Sequence, residues 1–90
     1  MEYHGHLFTE EEARKWSKER IQEEIAEMRE RVESIRKTIE DMERKNEEEP
    51  YIEEYQDRTK KIIRYEGYID DYEYAIAFLK SLLWIKRCYE

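Results

Sequence analysis

Residues 21–42 read IQEEIAEMRERVESIRKTIEDM. Within them Ile21, Ile25, Met28, Val32, Ile35, Ile39 and Met42 follow one another at spacings of 4, 3, 4, 3, 4 and 3. Alternating threes and fours place all seven side chains on one stripe of an α-helix. All but one of the residues between them are polar, most of them Glu, Arg or Lys, so the stripe is narrow and the rest of the helix is solvated. Such a stripe buries itself against one neighbouring helix, or in a shallow groove between two.

Upstream, Thr9 followed by Glu10, Glu11 and Glu12 forms a capping box that starts this helix, with the acids where the helix dipole favours them. Downstream, a second seam runs through Tyr55, Ile62, Ile69, Ile76 and Leu83, seven residues apart. Tyr51, Tyr65, Tyr72 and Leu79 take the paired position, which Arg58 interrupts, and Tyr68, Ala75, Leu82 and Tyr89 widen the stripe on one side. The two seams do not share a register. Continuing the first beyond Met42 reaches Asn46, Glu49, Glu53 and Gln56, all polar. The break falls at Lys45-Asn46-Glu47-Glu48-Glu49-Pro50, where Asn suits a left-handed helix end and Pro the first turn of a new helix. The expected fold is therefore all-α: an N-terminal arm over residues 1–8, then an antiparallel helical hairpin over 9–90. Its helices are expected at about 9–45 and 50–88. A single kinked helix in a parallel coiled coil is the alternative.

Composition agrees with long helices. The 90 residues contain only two Gly and one Pro, and 46% are charged. One Cys rules out an intrachain disulfide. The net charge is −7, with 10 basic and 16 acidic residues in 1–50 against 7 and 8 in 51–90. The acidic first half reads as the solvated helix and the second as the more buried one. No apolar run approaches the ~18 residues of a membrane span, and Met1–His6 has no secretory h-region, so the expected location is cytoplasmic. The low Asn and Gln content and the abundant Glu, Lys, Arg and Ile suit a thermophile.

The second helix carries more apolar surface than the first can cover. Ala77 with Trp84 and Phe78 with Ile85 form a patch off its main seam, at the end where the hairpin brings Trp16, Leu7 and Phe8 close. Trp16, Phe78, Leu82, Trp84, Ile85 and Tyr89 are the expected interface residues, because monomers rarely expose such patches and Trp and Tyr are common anchors. Self-association into a four-helix bundle is the simplest way to cover them. The other reading closes Leu7 and Phe8 over the cluster as an internal core. Tyr51, Tyr55, Tyr65, Tyr68 and Tyr72 follow one face of helix two, either filling space opposite Ile and Met or offering contact area to a partner.

Signals for chemistry are sparse. There is no phosphate-binding Gly loop, and His4-x-His6 supplies two ligands only, with Cys88 and Glu90 as conceivable neighbours. Glu23, Glu27 and Glu30 share one face of helix one, and Glu66, Asp70 and Glu73 one face of helix two. Facing carboxylates could hold Mg²⁺ in a nucleotide-processing bundle, which is one alternative function. Lys60, Lys61 and Arg64 beside Tyr65 and Tyr68 support a second, nucleic-acid association, against the adverse net charge. Glu47, Glu48, Glu49, Glu53, Glu54 and Asp57 make the turn an acidic tip, solvated or docking a basic partner.

The expectation that follows is a non-enzymatic protein-interaction module without a cofactor, dimeric, acting as an adaptor or inhibitor of a larger protein. A viral or mobile-element accessory protein would fit that size and composition.

Overall fold

A computed structural model describes residues 7–49 and 51–88. It contains three helices: α1 (Glu10–Lys15), α2 (Lys18–Glu48) and α3 (Ile52–Cys88). α2 and α3 pack against each other as an all-α helical hairpin. The molecule measures 57 × 23 × 14 Å, and its radius of gyration is 16.9 Å. A compact domain of this length would have ~12 Å, so the shape is a rod with little interior.

The stretch expected as one helix from residue 9 is two. Thr9 does cap α1: its Oγ1 accepts the Glu12 backbone N–H at 3.1 Å and donates to Glu12 Oε1 at 3.2 Å. After the six residues of α1 the chain turns extended, with ψ of 146° at Trp16 and 163° at Ser17. Ser17 then caps α2, accepting the Arg20 N–H at 3.1 Å. The break has a packing cause. A continuous helix would hold Trp16 off the seam, facing water. The kink instead folds α1 back, so that Ala13 is fully buried and Phe8 lies against both Trp16 and Phe78. Lys86 of α3 donates to the Arg14 carbonyl at 3.0 Å, satisfying an acceptor that the end of α1 leaves open.

At the other end α2 runs to Glu48, three residues further than expected. Asn46 does not end it in a left-handed conformation; no described residue has a positive φ. Asn46 instead accepts from Arg58 Nη1 at 3.5 Å. The same guanidinium donates to the Glu49 carbonyl at 3.3 Å and to Glu49 Oε2 at 3.2 Å, and lies 3.7 Å from Glu54. Arg58, the one charged residue in the helix-two seam, therefore ties the end of α2 to the start of α3 between the Glu49 and Glu54 carboxylates. Its side chain is only 16% exposed. Arg58→Ala should cost ~1–2 kcal/mol, since several acceptors lose a charged donor at once. Amide exchange over residues 46–56 should accelerate more than exchange around Leu79. Uniform protection would show that the clamp is dispensable.

The buried apolar residues fall into two clusters. The larger, at the end where α1 folds back, contains Phe8, Ala13, Ile21, Ile25, Met28, Ala75, Ile76 and Leu79. The smaller, at mid-hairpin, is Val32, Ile39 and Ile69, with Ile35, Ile62, Tyr65 and Tyr72 half-buried around it. Both seams meet as their spacing requires, but closure fades toward the turn, where Tyr51 and Tyr55 are exposed. Arg31 links the helices on one flank. Its hydrogen bond with Tyr72, and then the Glu27 carboxylate 2.6 Å away, hold its guanidinium pKa above the ordinary value.

Candidate interaction surface

The six residues expected at the interface take different places. Trp16, Phe78 and Leu82 are half-buried and pack against the larger core cluster. The Phe8 ring lies 5.3 Å from that of Trp16 and 6.1 Å from that of Phe78, centroid to centroid. The Arg20 guanidinium covers Trp16 from outside, 4.7 Å from its ring centroid. Trp84 and Ile85 point away from this cluster, and Trp84 is 67% exposed. Together with Lys80 and Ser81 they line a shallow concavity on α3. Tyr89 lies outside the described residues. Phe8 thus accounts for the inner half of the aromatic cluster, while Trp84 and Ile85 are exposed.

The reason is rotational. Core-facing positions of α3 are Ile69, Tyr72, Ile76, Leu79 and Leu83, and a hairpin with one partner helix covers only that side. Trp84 and Ile85 follow Leu83 by ~100° and ~200° around the helix, which carries them out of α2's reach.

Two further residues on the uncovered side escaped the heptad reading. Ile52 and Ile63 are 75% and 64% exposed. With Tyr74 and Ile85, also exposed, they recur every 11 residues: 52, 63, 74, 85. Eleven residues make three turns of an α-helix almost without remainder, so the four form one line on the face opposite the core. That period was present in the sequence and is the signal that could have found them.

The carboxylate sets are not brought together. Glu27 and Glu30 border a cleft with Ile35 and Tyr72, whereas Glu66 and Asp70 border a different one with Ile39 and Glu43. Glu73 lies 3.5 Å from Arg36. Among the described residues no group of three or more His, Cys, Asp or Glu side chains could hold a metal ion. Lys60, Lys61 and Arg64 are exposed on α3, as is Cys88 at its end. His4, His6 and Glu90 lie outside the described residues. Among the described residues no helix is long and apolar enough to cross a membrane.

The class that this geometry defines is structural: a two-helix antiparallel hairpin with a folded-back N-terminal turn and a row of exposed apolar residues along α3. The chain matches no family model, no characterised protein and no solved structure.

Proposed function

We propose that the chain is a protein-interaction module, acting as an adaptor or inhibitor of a larger protein through the outer side of α3. The observation that supports this is Trp84, 67% exposed at the end of a helix whose inner side is already packed. A large aromatic left in water beside Ile85 has a cost in solubility and no role in the core, and Trp is among the commonest interface anchors. Lys80 and Arg87 stand close to it in sequence on the same helix, so the anchor has a cationic border that suits an acidic partner.

The test uses the full chain as bait in extract of its source cells. A partner retained in stoichiometric amount by the native chain should be lost, or bound roughly thirtyfold more weakly (~2 kcal/mol), by Trp84→Ala. The helical CD signal and melting temperature should not change, because Trp84 lies outside both core clusters. Equal retention by both chains would overturn the reading.

A further inference from the structure

We propose that the outer face of α3 pairs with the same face of a second copy, antiparallel, about a two-fold axis passing close to Gly67. This rests on the interaction reading and names the occupant of one face. Ile52, Ile63, Tyr74 and Ile85 are evenly spaced along that face. Reversing one copy about a point between residues 68 and 69 sets Ile52 against Ile85, and Ile63 against Tyr74, of the second copy. The two-fold repeats each pairing. An 11-residue period stays in line on a nearly straight helix, so the match persists without left-handed supercoiling.

Gly67 lies close to the centre of this line. A Cβ built there would meet nothing within 4 Å, and its φ is not positive. The hairpin itself therefore has no use for glycine at a position where glycine weakens the helix. At the crossing point of two helices, the missing side chain lets the backbones approach.

Charge favours a second copy over a foreign helix. Residues 52–88 carry seven basic and seven acidic side chains, a net of zero, whereas 18–48 carry eight and eleven, a net of −3. Pairing through α3 joins the neutral helices and sets the acidic ones outermost, where their mutual repulsion is least. Along one flank, Arg64 comes within ~3 Å of axial register with Asp71 of the second copy, twice over. Asp70, exposed near the middle, borders a cleft with Arg36 and Glu66, and its own symmetry mate lies ~5 Å away in axial register. The face is ~50 Å long and ~10 Å wide, so two copies would bury roughly 1,000 Å² in total, the lower limit for a specific interface. The result is a row of four helices with α3 paired at its centre, unlike a closed four-helix bundle with a shared core.

Light scattering should give twice the 11.3 kDa chain mass at about 10–100 µM. Ile63→Glu and Gly67→Lys should each weaken the dimer roughly tenfold or more. Both sites are solvent-facing, so the melting temperature extrapolated to low concentration should not fall, and Lys should raise it by its better helix propensity. Nitroxides on Gln56→Cys in a Cys88→Ser background should lie ~40 Å apart in the dimer, as antiparallel register requires. A monomer throughout the range, a dimer indifferent to both substitutions, or a short 56-to-56 distance would overturn the pairing. Ile63 lies ~30 Å along α3 from Trp84, so a chain that stays monomeric yet loses its captured partner on Trp84→Ala would defeat this proposal alone.

Discussion

Ile69→Asp should leave the hairpin largely unfolded at 25 °C. Ile69 is 8% exposed and faces Val32 and Ile39 in a cluster of only three buried residues. Among the described residues that cluster is the buried apolar contact between the large core near the termini and the Arg58 clamp near the turn. A carboxylate there must be desolvated, or drag water into the seam, at a cost of ~3–4 kcal/mol. A two-helix rod of 90 residues has little stability in reserve. Ile63→Asp is the matched control: the same substitution six residues earlier, on the uncovered face, should leave the monomer's melting curve in place. CD at 222 nm with temperature reads both. A loss below ~1 kcal/mol for Ile69→Asp would mean that the mid-hairpin seam carries little of the fold.

Phe8→Ala should cost ~3 kcal/mol and release α1 from the rest of the molecule. Phe8 is 4% exposed and is wedged between Trp16 and Phe78, which ties the arm, the kink and α3 together. Its loss removes the aromatic contacts and opens a cavity beside Ala13 and Leu79. In a Trp84→Phe background the remaining Trp16 reports the event. Its emission should shift to the red as the ring becomes exposed, and the melting temperature should fall with it. An unshifted spectrum and an unchanged melt would show that the arm is not part of the core, and Trp16 would return to the set of interface anchors.

The two predictions sit at opposite ends of what could be read in advance. Ile69 belongs to the seam because of its place in a seven-residue period, which any helix of that sequence must present on one stripe. Phe8 could be read either way, since a residue before a cap has no period to follow. Its burial depends on the kink at Trp16–Ser17, where an unbroken helix from 9 to about 45 was the expectation. Ser17 is a good capping residue, but so are many serines that sit inside helices facing water. Only the presence of Phe78 and Ala75 on the neighbouring helix gives the break an energetic return.

Arg58 and Asn46 make the same point at the turn. As isolated residues they read as a defect in one seam and a helix terminator in the other. Side by side in the folded chain they are donor and acceptor, and α2 continues to Glu48 because the Arg58 guanidinium supplies the donor that its end would otherwise lack. No spacing rule relates residues on different helices.

What the sequence by itself determined is the periodic part. The seams of α2 and α3, the Thr9 cap, the change of register near Pro50 and the resulting hairpin all follow from local propensity and helical period, which act over a few neighbouring residues. The tertiary structure decided which side of α3 meets α2. That helix carries apolar residues nearly all round, so its own pattern leaves the choice open. With one partner helix available, burial is greatest where Ile69, Ile76 and Leu79 face the Ile and Val stripe of α2. Ile52, Ile63, Trp84 and Ile85 are left outside, because a single helix has only one side to offer.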